Sequence, residues 1–384
     1  MPGTANPNIA IIESVGAHGG MNYYDIGLCE GLLKNGVDII LYTCDKKFSF
    51  HKSSFIIKPF FRNIYGKRFK FFRFILYIIG LNRVLWDSRI RNISLVHFHF
   101  FDAFILEYIN IWFAKFYGFK IVVTVHDVEN LASGMNYQFA YKIYNKCDKI
   151  IVHNEVSRKE LVNYLNMKTQ NIRKIPHGNY IRFVNTKIQK NISRRKISLS
   201  EKDITILFFG QIKKAKGLDL LLRSLSIVKE DFPTVKLLIA GKVWKDDFNQ
   251  YQKTIKTLGI KENVIQHIKY IPDKCVKYYF SSADLVVLPY RKIYQSGVLL
   301  MAMSYKKPVL VSDIDGMTEI IQNNVNGFLF RNGDSNHLAK RIIEILSNPQ
   351  KSQIVSQTGY ETVEKFYDWK TIGYKTSSVY KEII

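Results

Sequence analysis

The chain has 384 residues, 47% of them hydrophobic, with 56 Lys and Arg against 32 Asp and Glu, a formal charge of +24. That length exceeds one ordinary core and predicts two domains of about 150 to 200 residues each, while no apolar run approaches the roughly 18 residues that would span a bilayer. The opening MPGTANPNIAIIES carries no basic region before its apolar stretch, so no secretory signal and a cytoplasmic location are expected.

In chain order, the first expected strand is NIAIIES (8–14), followed by VGAHGGMNYYDIGL. There Gly19 and Gly20 let the backbone turn sharply and approach a ligand with no Cβ in the way, although a plain strand-to-helix turn also explains them. DIILYT (38–43) is the second strand. From Lys46 to Trp86 there are ten Lys or Arg and no acid, and FIIKPFFRNIYGKRFKFFRFILY (55–77) interleaves them with nine aromatics. The pattern suits a surface lying on anionic lipid, with rings at headgroup depth and cations reaching phosphate. The alternative is a helix pair with an aromatic core stripe and a solvated basic face. Nucleic acid is the weaker partner, because no helix-turn-helix, zinc-finger or RNP-like signature accompanies the charge.

LVHFHF (95–100) points His97 and His99 to one face of a strand. With no third ligand nearby in the chain they read as packing residues, and no metal site is expected. The four cysteines, Cys29, Cys44, Cys147 and Cys275, are scattered without CxxC and read as reduced packing residues. KIVVTV (120–125) ends at His126, at the strand edge where open α/β sheets bind ligands. KIIVHN (149–154) and IRKIPH (172–177) complete the first half, and His177 has no assigned role.

The basic stretch 185–203 reads as a linker. Alternation then resumes with ITILFFG (204–210), VKLLIAG (235–241), NVIQHIKY (263–270), LVVLP (285–289) and PVLVS (308–312), ending in a helical 335–348. Such alternation predicts an α/β chain of two doubly wound parallel sheets, expected to face each other across a cleft. After ILFFG, Lys213 and Lys216 sit on a loop and Gly217 opens a helix, a possible diphosphate clamp or simply a solvated lysine run. Between LVVLP and PVLVS, Ser296 and Gly297 open the crossover helix, whose first N–H groups and positive dipole end can face an anion.

HGGM, LVHFH, TVHD, IPHG, FFGQIKKAKGLDLLL, LLIAG, ADLVVLPY, PVLVSDIDGMTEII, NGFLFRNGD and the closing FYDWKTI occur in that order along essentially the whole chain. Together they resemble glycosyltransferase family 4, of the GT-B fold. The resemblance implies an acceptor domain over 1–184, a linker over 185–203, a nucleotide-sugar domain over 204–365, and a helix over 366–384 crossing back to the first domain. It implies retaining transfer without a metal or other cofactor, the nucleotide diphosphate sugar being substrate. Gly19 and Gly20 then resemble the glycine loop near the donor phosphates, His126 the histidine on the donor sugar, and Lys216 the diphosphate lysine. Gln211 stands where the family commonly has Arg, and Lys213 can supply that charge. Tyr270 lies where the family holds the base. The Glu-x7-Glu pair is absent: Ile293 and Met301 occupy its positions. QSGVL resembles a branch in which Gln295, Ser296, Gly297 and Val298 keep the phosphate contacts through backbone amides.

The expected activity is hexose transfer to a glycan, the acceptor lipid-linked in surface polysaccharide synthesis at the cytoplasmic membrane face. A catalytically silent subunit that binds a sugar nucleotide or glycan, and a nucleotide-sugar epimerase, are the alternatives.

Overall fold

The computed structural model describes residues 8–16, 20–44, 54–66, 69–128 and 137–384. They form two compact units, one comprising Met1–Gly178 with Tyr367–Ile384 and the other Asn179–Phe366.

The first unit is built on strands β1 (Asn8–Ile12), β2 (Asp38–Tyr42), β3 (Ile56–Lys58), β4 (Leu95–Phe100), β5 (Lys120–Val125), β6 (Lys149–Val152) and β7 (Ile172–Lys174). All pair in parallel, in the order β3-β2-β1-β4-β5-β6-β7. Every residue of β4 is buried, as a strand covered by helices on both faces requires. The second unit carries β8 (Ile204–Phe209), β9 (Val235–Ala240), β10 (Val264–His267), β11 (Leu285–Leu288), β12 (Val309–Ser312) and β13 (Phe328–Phe330). These are also all parallel, in the order β10-β9-β8-β11-β12-β13. Each expected strand is present; β3 and β13 were not foreseen, being three-residue edge strands too short to show a pattern.

In each sheet the winding reverses beside its first strand, at β1/β4 and at β8/β11. Loops leaving the carboxyl ends of those neighbouring strands diverge to opposite faces and open a crevice for a ligand. Apolar helix faces hold the sheets: helix Leu218–Asp231 buries Leu218, Leu221, Leu222 and Leu225 against the same core as Leu338 and Ile342 of helix Ser335–Ser347. Each such leucine contributes about 1.5 to 3 kcal/mol.

Two boundaries differ from expectation. The first unit ends at Gly178 because Asn179 Nδ2 donates to Val363 O (2.8 Å) and Tyr180 N–H to Ser304 Oγ (3.0 Å), tying 179–184 to the second unit. Residues 185–203 are no linker but part of that unit. Arg194, on helix Lys190–Lys196, is buried, pairs with Asp284 at 2.8 Å and donates to Glu201 O at 2.6 Å.

The closing helix Trp369–Lys381 belongs to the first unit, lying on helix Met21–Leu33. A Cβ on Gly373 would fall 2.1 Å from the carbonyl carbon of Gly31, so the two backbones meet where only glycine fits. Asp368 caps this helix by accepting from the Lys370 and Thr371 N–H groups. Lys149 and Arg173 both reach Glu382 at 2.7 Å. Among the described residues no helix is long and apolar enough to cross a membrane.

Candidate active site

At the β8/β11 crossing, chain geometry brings two anion-facing segments together. Gly210, leaving β8, has φ 109°, and its Cβ direction points at Val298 Cγ2, 3.4 Å away. The turn Lys214–Lys216 follows, and Gly217 caps helix Leu218–Asp231 with φ 65°. A side chain at Gly217 would lie 1.9 Å from Pro289 O, so this turn nests against the exit of β11. Arg291 locks the arrangement: its guanidinium holds Asp219 in a fork at 2.7 and 2.6 Å, and its N–H donates to Ala215 O at 2.9 Å.

Lys216 is buried, with Nζ 3.6 Å from the centroid of the Tyr290 ring, a cation–π seat that fixes the ammonium within the loop. Lys213 is half-buried on the same turn. Ser296 caps helix Gly297–Ser304, its Oγ accepting from Leu299 N–H at 3.2 Å. The first N–H groups of that helix have no intrahelical partner and sit at its positive end. Tyr180 Oη would be 2.7 Å from any Cβ at Gly297, so a side chain there would have to displace it. From Tyr290 to Tyr305 there is no acid, and Ile293 and Met301 are both half-buried. This loop can therefore grip an anion through amides and lysines, with no carboxylate of its own.

The first unit is different in kind. The Tyr24 ring is ringed by His99, His126, His153, His177 and Trp369, with centroids 4.7 to 5.4 Å away. His153 Nδ1 faces Ile175 O at 2.9 Å, so it carries the proton and Nε2 accepts. His126 Nδ1 lies 3.2 Å from that Nε2 and is therefore the donor, leaving His126 Nε2 as an acceptor. That atom is buried and has no hydrogen-bond partner in the described structure. Burial, then the neighbouring imidazoles His153 and His99, hold His126 well below the usual histidine range. Burial likewise brings His153 down to about 3 and His177 to about 4. His126 is thus neutral, stacked on Phe101 at 4.8 Å, and offers one lone pair.

His97 and His99 do share a face, with ring centroids 5.0 Å apart, but their surroundings separate them. His97 is satisfied by Tyr380 Oη (2.7 Å) and Thr124 Oγ1 (2.8 Å), and so packs as expected. His99 Nδ1 instead meets Asp25 Oδ1 at 3.4 Å and Glu13 Oε2 at 3.5 Å. Burial pushes the Asp25 carboxyl up to about 7. Burial also works against a charge on His99, but the two carboxylates outweigh it and raise the imidazole to about 9.

The expected site residues therefore fall into two groups. Lys213, Lys216, Gln295, Ser296, Gly297 and Val298 gather at β8/β11. Tyr270 is exposed beyond β10, at the sheet edge two strands from β8. Gly20, with φ 90°, precedes helix Met21–Leu33 in the first unit, which also holds His126; Gly19 lies outside the described residues. Glu13, Tyr24, Asp25, His153 and Tyr290 were not singled out from sequence. Their only early signal is position at the ends of β1, β6 and β11 or in the following helix.

Residues 18–179 match the family described as Glycosyltransferase Family 4, and residues 189–362 the one described as Glycosyl transferases group 1. An uncharacterized glycosyltransferase of Methanocaldococcus jannaschii is 25% identical over 94% of this chain and 94% of its own length. A phosphatidyl-myo-inositol mannosyltransferase of Mycobacterium leprae is 29% identical, but the match spans only 47% of this chain and 46% of that protein. Among solved structures, Anabaena Alr3699/HepE in complex with UDP-glucose aligns with a TM-score of 0.79 at 16% identity, covering 98% of this chain and 100% of that one. With two parallel-sheet units and family matches across both halves, the chain belongs to the family 4 glycosyltransferases and has the GT-B fold.

Proposed function

We propose that this glycosyltransferase moves a hexose from a nucleotide diphosphate sugar to a lipid-linked glycan, with retention of anomeric configuration, in surface polysaccharide synthesis. The observation that carries this reading is the junction of the Lys213–Gly217 turn with the Ser296–Val298 helix start at β8/β11. The UDP-glucose complex of the Anabaena protein supports a nucleotide-sugar donor. As the sugar–phosphate bond breaks, charge develops on the diphosphate. Lys213, Lys216 and the amides from Ser296 to Val298 stabilise it, each well-aimed donor in a dry site being worth roughly 3 kcal/mol.

The acceptor oxygen bonds to the anomeric carbon while its proton passes to the departing phosphate oxygen. His126, held neutral, is a poor base and accepts a hydrogen bond from a sugar hydroxyl, orienting the ring. Gly19 and Gly20 admit the donor phosphates, Gln295 adds a backbone contact, and Tyr270 borders the base. No step is assigned to a metal. The test is thermal stabilisation across a panel of nucleotide diphosphate sugars, followed by transfer to a glycan and NMR of the new linkage. One donor should stabilise the protein and give a retained product; stabilisation by none, or an inverted product, overturns the reading.

The lipid-linked acceptor is supported by the aromatic surface, although residues 46–53, 67 and 68 of the expected 46–86 patch lie outside the described residues. Helix Lys70–Ile90 carries no acid before Asp87, and Phe71, Phe72 and Trp86 are 69%, 58% and 60% exposed. Tyr77 Oη donates to Asn110 Oδ1 at 2.9 Å, joining it to helix Ile105–Phe116, which exposes Trp112 and Phe116 stacked 5.7 Å apart. Exposed rings beside cations suit the headgroup region of an anionic bilayer. Phe71→Ser with Phe72→Ser should release the protein from anionic vesicles; unchanged sedimentation with vesicles removes this part of the reading.

A further inference from the structure

Glu13, Asp25 and His99 present the other unexplained chemistry of the first unit. They come from three elements: the exit of β1, helix Met21–Leu33 and β4. One ligand-type atom from each lies within 4.8 Å of the others, and all three side chains are buried. Glu13 Oε1 is already occupied, accepting from Val15 N–H at 2.6 Å, which turns Oε2 inward. Glu13 Oε2, both oxygens of Asp25 and both ring nitrogens of His99 have no hydrogen-bond partner in the described structure. The His99 contacts of 3.4 and 3.5 Å are too long for charge-assisted hydrogen bonds, which run about 2.7 to 2.9 Å. They match the edge of a tetrahedron about an ion with ligands at roughly 2.1 Å, an edge of about 3.4 Å.

We infer that Glu13, Asp25 and His99 bind one divalent first-row transition-metal ion of the zinc type as a structural ion. Two carboxylates and a neutral imidazole around a doubly positive ion leave no net charge in the interior. His and carboxylate oxygens are accepted donors for such an ion, and a water completes the four positions. The ion closes the ends of β1 and β4 onto helix Met21–Leu33. It departs from the expectation that His99 is a packing residue: the missing ligands stand 86 and 74 residues earlier in the chain. It takes no part in the transfer.

The test uses the full chain, stripped with a chelator, re-equilibrated with zinc and desalted, then measured for metal content and thermal unfolding. Cobalt serves as a spectroscopic probe. About one zinc per chain should be retained, with a higher melting temperature and, for cobalt, the intense visible bands of a four-coordinate site. Asp25→Asn and Glu13→Gln should each lower zinc affinity by tenfold or more. Removing a buried carboxylate charge need not harm folding, and circular dichroism checks each variant. If the wild type retains no stoichiometric zinc, the inference fails whatever the variants do. It fails equally if folded Asp25→Asn retains as much zinc and shows the same cobalt spectrum.

Discussion

The β1/β4 and β8/β11 crossings share a topology but not a chemistry. At β8/β11 lie turns, a helix start and two lysines, with no acid between Tyr290 and Tyr305. At β1/β4 lie buried acids and imidazoles: Glu13, Asp25 and a row of histidines around Tyr24. A site of helix-start amides and lysines presents positive charge to a ligand, and so suits a diphosphate. A site of neutral imidazoles suits hydroxyl groups, which a lone pair can orient.

The sharpest break in this contrast is at the backbone site. Gly217→Ala forces a Cβ to 1.9 Å from Pro289 O at φ 65°, and should cost about 3 kcal/mol or more in chemical denaturation. Gly333→Ala, at φ 79° with open space around it, should cost only about 1 kcal/mol. Equal losses would mean the turn does not nest on β11.

Next, the two crossings should separate in kinetics. Lys216→Ala should weaken nucleotide diphosphate binding by about 1 to 3 kcal/mol in calorimetry. His126→Phe should leave that affinity within about twofold yet lower kcat by tenfold or more, about 1.4 kcal/mol. If His126→Phe weakens the nucleotide alone as much as Lys216→Ala does, the division of labour is wrong.

The most gradual effect is an acid slope. His153 and His177 have folded pKa values of about 3 and 4, below the ordinary value of 6.5, so the unfolded chain takes their protons first. Their stabilisation is full above pH 6.5 and is lost as pH falls toward those folded values, by up to about 1.4 kcal/mol per pH unit for each. Folded His153→Gln should show a shallower loss between pH 6 and 4 in urea titrations. An unchanged slope would mean His153 is not buried neutral.

Much of this was legible in the chain. Continuous apolar runs such as LLIA and LVVL are strands because both faces are covered, and their alternation with helices implies parallel sheets. Glycine turns and the Ser296 cap act on their own backbone within a few residues, so those local conformations could be read from the sequence. Arg194 could not: its basic neighbourhood resembles a linker, and the carboxylate that pairs with the buried guanidinium, Asp284, stands 90 residues on. The meeting of His99 with Glu13 and Asp25, and of His126 with His153, is likewise set by strand order. Local pattern records which face a side chain takes, since that follows from backbone period; which distant groups share that face depends on how the strands are ordered.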